Sequence, residues 1–387
     1  MEDSSGPNRE TAQHGQVSRS EHRNGHRNGH CNVVIGKNFR VLEVNPQACN
    51  EGLAVAAALE ILWGLRWGPG ESGRRGLDKV VVGHVGAHVS EGGAAMASSR
   101  KLPKLQGSLF KYGSKSIQVA FQSGNYKQHV IIIGGLTDGL FATDYVEPLA
   151  KALEAEKWSL VQPLFSSSYT GFGTSSLKED ALEIEQLLNY LIDQENSEGF
   201  ILIGHSTGCQ DIVNYLRTGG HCTRAVRGAI LQAPVSDREF LVTLPETQPK
   251  LELAEKMIKE GKGEELMPRD TSPEAPITAY RFHSLSTVLG DDDLFSSDLS
   301  DAQLKARLGH MSRVPTQVLF SMSDEYVPDH VDKVTLIKRL CEAMGGAEKM
   351  AIPWGNHSLS NRVEEAVRTM ISFIKKGGPK GWDDPWS

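Results

Sequence analysis

From residue 129 onward, short apolar runs rich in β-branched residues alternate with longer amphipathic stretches, and few folds accommodate that order. Residues 129–133, 158–162, 199–203, 226–231, 316–321 and 349–352 read as strands. Residues 144–156 read as a helix. In the clearest helix of the chain Leu177, Ala181, Ile184, Leu188 and Leu191 recur on one face, and Ser176 with Glu179 forms a capping-box pattern at its start. Residues 361–376 close the series as an amphipathic helix through Val363, Val367, Met370 and Ile374. Strands and helices alternating at these lengths predict an α/β fold, a mostly parallel central sheet with helices on both faces.

Two regions break the pattern. Residues 235–312 hold helix-like pieces at 251–260 and 300–308, several prolines and no strong strand, so they read as a helical cap inserted before the strand at 316–321. The acidic run Asp291-Asp292-Asp293 inside that insertion is expected to be a solvated loop, because adjacent carboxylates diverge and no further cation ligands accompany them. The other region is residues 1–95, a mostly disordered or dispensable extension ahead of a domain spanning 96–387. Its tandem Arg-Asn-Gly-His repeat, Arg23 to His30, is too polar to offset the entropy of ordering, and His26 and His30 imply no fixed metal geometry. Within it only 53–65, as a helix, and 80–82, as a short strand, could pack. Glu2, Asp3, Glu10 and Glu21 contradict an acid-poor transit peptide.

Composition removes several functions. Hydrophobic residues make up 39% and charged residues 23%, and no run of about 18 unbroken apolar residues is present to span a bilayer. Lys plus Arg number 41 against 48 Asp plus Glu, and the net charge of −7 offers no general attraction to nucleic acid. The cysteines at 31, 49, 209, 222 and 341 are odd in number and lack CxxC spacing, which argues against a disulfide framework or a zinc site and for a reducing compartment. The expected location is cytoplasmic, with a plastid as the alternative, and neither metal nor cofactor is called for.

Chemistry concentrates at Gly204-His205-Ser206-Thr207-Gly208, between the apolar run 200–203 and a helical stretch from Cys209 to about Leu216. On a sharp strand-to-helix turn the serine adopts strained backbone angles, and glycines two residues to either side leave room for the close packing this forces. Ser206 then projects from the sheet edge as a nucleophile, and the Thr207 amide at the helix start becomes one oxyanion donor. The second donor is expected from Gly134-Gly135-Leu136-Thr137-Asp138-Gly139 after the first strand, with the Leu136 amide favoured over an ordinary glycine turn. Asp138 stays open between organising that loop through backbone amides and taking part directly. Gly135, Thr137, Asp138, Tyr169 and His205 are candidates for the substrate pocket.

A serine needs a base, and the base needs an acid to hold its tautomer. Of the histidines beyond residue 95, His357 alone follows the last strand and precedes the closing helix, in Trp354-Gly355-Asn356-His357-Ser358. The acid is expected after the preceding strand, where Asp324 is preferred and Glu325 is expected to point outward. The order Ser206, Asp324, His357 is that of α/β-hydrolases and differs from the chymotrypsin-like and subtilisin-like orders. Cys209 reads as a buried small residue. A glycan on the Asn356-His357-Ser358 pattern would obstruct the base, so that asparagine is expected to be unmodified.

Over residues 100–377 these features resemble the α/β-hydrolase superfamily. Within it the chain resembles a plant and fungal branch of unknown function related to fungal siderophore esterases. The resemblance is carried by Ile132-Ile133-Gly134-Gly135-Leu136-Thr137-Asp138-Gly139, by 167–176, and by Gly204-His205-Ser206-Thr207-Gly208-Cys209-Gln210-Asp211. It implies cofactor-independent cleavage of a small-molecule ester, and fungal relatives cleave ester bonds of hydroxamate iron carriers. The sequence departs from the pattern at Gly134, where many relatives carry histidine, and in the leader, which has no counterpart. Two other readings share the same residues: a triad-retaining ligand sensor with little turnover, and an acyltransferase or peptidase. The oligomeric state is open.

Met96 opens Met-Ala-Ser-Ser-Arg immediately before the patterned sequence, so the working protein is expected to begin near it. Mass spectrometry of the native protein should find few peptides from residues 30–80, and abundant ones would contradict this.

Overall fold

The computed structural model describes residues 102–376, so the tandem repeat and the 53–65 and 80–82 segments lie outside the described residues. Eight strands build one sheet: β1 (Ser108–Lys111), β2 (Val119–Ser123), β3 (Gln128–Ile133), β4 (Ser159–Pro163), β5 (Gly199–His205), β6 (Val226–Gln232), β7 (Thr316–Ser321) and β8 (Glu348–Ile352). Their spatial order is β1-β2-β4-β3-β5-β6-β7-β8. From β4 to β8 all neighbours pair in parallel, while β1 and β2 add an antiparallel edge.

The six parallel strands are those the apolar runs predict, with shifts of one or two residues at half of their ends. β1 and β2 were not predicted. They are short and polar, and Leu109 stands 64% exposed, so the alternation that marks a half-buried strand is weak there. In the central strands the period of two sorts side chains onto two covered faces. Ile131, Ile133, Phe200, Leu202, Ala229, Leu231, Val318 and Phe320 face one core, and Val130, Ile132, Ile201, Ile203, Ile230 and Leu319 face the other.

The first core is covered by α2 (Leu177–Glu195), α3 (Gly208–Thr218) and α8 (Lys333–Ala343), the second by α1 (Val146–Ala155) and α9 (Val363–Lys376). α2 buries Ile184, Leu187, Leu188 and Leu191, close to the stripe its sequence shows. Its cap is half of the expected box. Ser176 accepts the Glu179 N–H at 3.2 Å, but the Glu179 carboxylate turns to Lys115 and to the Ser175 hydroxyl. A complete capping box forms instead between Ser300 and Gln303, at the start of α7 (Asp301–Leu308).

Between β6 and β7 the chain makes α4 (Asp237–Leu241), α5 (Thr247–Lys259) and α6 (Ala279–Ser286) before α7. Ala254, Met267, Ile277, Phe282 and Leu285 form a small core of their own with Phe172, whereas Leu294, Phe295, Leu304 and Leu308 join the first main core.

The acidic run in this segment is solvated only at Asp291. Asp292 and Asp293 are both buried. Asp292 takes the Arg281 guanidinium at 2.6 Å and the Ser284 hydroxyl at 2.5 Å, and Asp293 takes the Leu289 N–H at 2.8 Å and stands 3.1 Å from Arg238. Charges this deep persist because each carboxylate has a cation or donors within reach, and the two arginines lie 11 and 55 residues away, where local composition does not show them. Arg281 also donates to the Phe172 carbonyl at 3.0 Å, tying α6 to the loop ahead of α2. Burial pushes the neighbouring Asp180 carboxyl up to about 7. Arg281→Ala strands the buried Asp292 charge and is expected to cost about 3–5 kcal/mol, read as a fall in Tm on thermal unfolding; an unchanged Tm would contradict this account.

Candidate active site

β5 ends at His205 and α3 begins at Gly208, so the chain reverses from strand to helix across two residues. Ser206 absorbs the reversal with φ of +53°, a left-handed conformation that costs a non-glycine residue on the order of 1–2 kcal/mol. The glycines on either side are steric requirements. A Cβ on Gly204 would lie 2.5 Å from the Gly208 carbonyl oxygen, and one on Gly208 would lie 2.3 Å from that of Ile133. The Ser206 N–H donates to the Gln232 carbonyl at 3.0 Å, which locks the turn to the end of β6. Thr207 is the N-cap of α3, so the positive end of that helix lies beside the serine.

Asp324 and His357 come from the loops after β7 and β8. The Ser323 N–H donates to the Gly355 carbonyl at 2.9 Å and holds the two loops together. Asp324 is buried, and its carboxylate faces His357 Nδ1 at 2.8 and 3.0 Å, so Nδ1 carries the hydrogen and Nε2 is left as the basic nitrogen. Asp324 also accepts the Tyr326 N–H at 3.0 Å. The Tyr326 ring packs edge-on against His357 at 4.7 Å between centroids, and Phe240 packs on Tyr326 at 5.2 Å. Glu325 does not simply point outward. The residue is exposed, yet its carboxylate accepts the His357 backbone N–H at 2.9 Å and so helps fix the histidine loop.

A cavity of about 760 Å³ opens at these groups, and its lining includes Ser206 and His357 together with the apolar Phe240, Leu244, Phe282 and Leu285. Gly135 forms part of its wall close to the serine, since a Cβ there would stand 2.7 Å from Ser206 Cβ. Asp138 accepts the Gly135 N–H at 2.7 Å, which makes it an organiser of the 134–139 loop, and burial raises its carboxyl above the ordinary range. His205 Nδ1 meets Gln232 Oε1 at 2.6 Å, and burial, reinforced by nearby His357, pushes the ring down to about 3, so it stays neutral. Among the described residues no group of His, Cys, Asp and Glu is arranged to hold a metal ion.

A family model described as "Protein of unknown function (DUF1749)" matches residues 96–376. The chain belongs to the DUF1749 family. Among curated relatives it is 31% identical over 352 residues to "Esterase AN6793" of Emericella nidulans, covering 71% of this chain and 94% of the relative. It is 33% identical over 303 residues to "Fusarinine C esterase sidJ" of Aspergillus fumigatus, covering 62% and 86%. Among solved structures, "Siderophore hydrolase EstB from Aspergillus fumigatus" matches with a TM-score of 0.60 at 31% identity, over 71% of this chain and 98% of that one. This DUF1749 member therefore has the α/β-hydrolase fold and is an esterase-type enzyme.

In the DUF1749 chain the structure brings Gly135, Leu136, Thr137, Asp138, His205, Ser206 and His357 to one cavity. Thr207 borders a smaller cavity of about 30 Å³ behind the 134–139 loop, which Leu136 also lines. Tyr169 is not among the residues lining the larger cavity. Its ring covers Gly139, where a Cβ would meet it at 2.2 Å, and its N–H donates to the Asp138 carbonyl at 3.0 Å, so it braces the loop from outside. Cys209 is fully buried, and burial pushes its thiol well up, as expected of an inert packing residue. Asn356 Nδ2 donates to the Ser360 hydroxyl at 2.7 Å, inside the histidine loop.

Sequence reasoning passed over Gln232, Tyr326 and the role of Glu325. Gln232 had a signal: it is a polar residue continuing the apolar run 226–231 at the end of a central strand, and it is fully buried. Its Nε2 donates to the His357 carbonyl at 2.8 Å while its backbone carbonyl accepts from Ser206, so one residue joins both loops. Gln232→Leu is expected to slow labelling of the protein by a serine-directed fluorophosphonate on the order of 10²-fold through misplacement of the histidine loop; labelling at the parent rate would contradict that role.

Proposed function

We propose that the enzyme hydrolyses a carboxylic ester of a small molecule through an acyl-enzyme formed on Ser206. Ser206 Oγ attacks the ester carbonyl while His357 Nε2 takes its proton, and Asp324 holds the imidazole in the required tautomer and balances the imidazolium. The Leu136 and Thr207 amides receive the oxyanion, and the start of α3 adds its dipole. His357 then gives the proton to the leaving alcohol, and water repeats the sequence to release the acid.

The observation that carries this reading is the 2.8 Å contact between His357 Nδ1 and a buried Asp324, at the same sheet edge as a serine held at positive φ. The names of the relatives, one a fusarinine C esterase and one a siderophore hydrolase, make a siderophore ester the first natural substrate to try. The cysteines among the described residues, Cys209, Cys222 and Cys341, are buried and free, which supports work in a reducing, cytoplasmic setting.

Ser206→Ala should lower turnover of short p-nitrophenyl esters on the order of 10⁴-fold, with a residue of activity left by the oxyanion donors and binding. Hydrolysis by that variant at the parent rate would remove the serine from the mechanism. Steady multiple turnover by the parent protein is expected, and a single turnover followed by arrest would favour a sensor.

A further inference from the structure

The first turns of α2 and α3 meet through a pair of carboxyl groups. Asn214 Nδ2 on α3 donates to the Leu177 carbonyl at the start of α2 at 2.7 Å, and beside this tie Asp180 of α2 and Asp211 of α3 are in hydrogen-bond contact. Asp180 is 2% exposed and Asp211 5%. Two ionised carboxylates offer each other acceptors alone, so the contact requires a proton on one of them. The neighbouring guanidinium is already directed elsewhere, since Arg281 donates to Asp292 at 2.6 Å and to the Phe172 carbonyl at 3.0 Å. Three buried carboxyls thus stand around one buried cation, and a proton held by the pair reduces the excess charge.

Both carboxyls line the small cavity of about 30 Å³ behind the 134–139 loop, together with Thr207 and Leu136. Thr207 and Asp211 stand one helical turn apart, with the Asp211 N–H donating to the Thr207 carbonyl at 3.1 Å. Asp211 Oδ1 and Thr207 Oγ1 are buried and have no hydrogen-bond partner among the described residues. One is an acceptor and the other can donate, and a cavity of this size holds a water that would serve both. At the other end of the pair the Ser167 hydroxyl donates to Asp180 Oδ1 at 2.6 Å.

We propose that Asp180 and Asp211 share one proton and, through water in the small cavity, act as positioning residues for the oxyanion donor at Thr207. The connection runs from Ser167 through Asp180 and the shared proton to Asp211, and by water to the Thr207 hydroxyl. The role at Thr207 rests on the ester-hydrolase reading, whereas the shared proton does not. The charged and titratable groups facing the pair are Glu183 of α2, Cys209 of α3, Arg281 of α6, Asp292 after it and Tyr112 after β1, and Asp138 shares the cavity. Glu183 is itself held by Lys115 and the Ser166 N–H, and Asp237 of α4 acts on Arg281 and Asp292. Of the groups facing the pair, only Arg281 favours a second negative charge on it.

An ordinary aspartate gives up its proton near 3.8, whereas burial first, and then the neighbouring carboxylates, hold it on the folded pair, for Asp180 up to about 7. The folded state therefore keeps a proton that the unfolded chain releases. The stability this contributes is complete below about pH 4 and is lost as pH rises through 7.

The test uses the full chain and two variants. Asp211→Asn places a fixed N–H where the shared proton lies, and Asp211→Leu removes hydrogen bonding from that position. On thermal unfolding, the Tm of the parent is expected to fall from about pH 5 to pH 8 by about 2 °C or more beyond the fall in Asp211→Asn, which has one fewer carboxyl to titrate. With p-nitrophenyl butyrate at pH 7, Asp211→Leu is expected to lose kcat on the order of tenfold with KM within about twofold of the parent, and Asp211→Asn to keep kcat within about threefold. The same pH dependence of Tm in the parent and Asp211→Asn would overturn the shared proton, whether or not Asp211→Leu folds. Parent-like kcat in Asp211→Leu, or a loss in Asp211→Asn of on the order of tenfold, would overturn the positioning role. No turnover of any ester by the parent would defeat the hydrolase reading and the role at Thr207 with it, and the Tm comparison keeps that failure apart from a failure of the shared proton.

Discussion

The site depends on one close approach of backbone to backbone. α3 starts so near the end of β3 that Gly208 has no room for a side chain against the Ile133 carbonyl, and the strand-to-helix reversal is left to Ser206 at a positive φ. The cost of that conformation is offset by the parallel pairing of β5 with β3 and β6 on either side, which fixes the strand end of the turn. A rigid sheet thereby holds a hydroxyl at its carboxyl edge, next to a helix N-terminus and facing a cavity. Loops after three further strands, β3, β7 and β8, then supply the remaining groups without having to be rigid on their own.

Those loops are held by polar contacts, buried at Gln232 and partly buried at Glu325 and Asp138. Gln232 links the nucleophile turn to the histidine loop, Glu325 holds the His357 amide, and Asp138 folds the 134–139 loop onto its own carboxylate. Each contact satisfies a group that would otherwise be buried unpaired, so loss of one partner leaves a penalty on the other. The same logic operates at the inserted segment, where Arg281 reaches from α6 to Asp292 and to the Phe172 carbonyl. The Arg281–Asp292 pair lies within the insertion, and the Phe172 carbonyl is the contact that ties Arg281 to the loop ahead of α2.

Much of this was legible in the sequence because its causes are local. Short apolar runs rich in β-branched residues marked the six parallel strands, the stripe on 177–191 marked α2, and the glycine spacing around Ser206 marked the strained turn. The order of serine, aspartate and histidine followed from where each stood relative to a strand end. What escaped was set by contacts distant in the chain. The acidic run at 291–293 looked solvated because Arg238 and the geometry that brings it to Asp293 appear only in the folded state. Gln232 meets Tyr145, His205 and His357 across 87, 27 and 125 positions of sequence, and no window of residues contains that network. Tyr169 was expected in the substrate pocket, yet its exposed position over Gly139 is set by the 3₁₀ turn at Tyr169–Gly173.

The account's central claim is that Ser206 is the nucleophile and that the Leu136 and Thr207 amides receive the charge it creates. A crystal structure of the protein after reaction with a fluorophosphonate tests both parts at once. Phosphorus bonded to Ser206 Oγ, with the phosphonyl oxygen about 2.7–3.1 Å from both amides, is the predicted result. A phosphonyl group on another residue, or one on Ser206 whose oxygen faces away from those amides, would contradict the account.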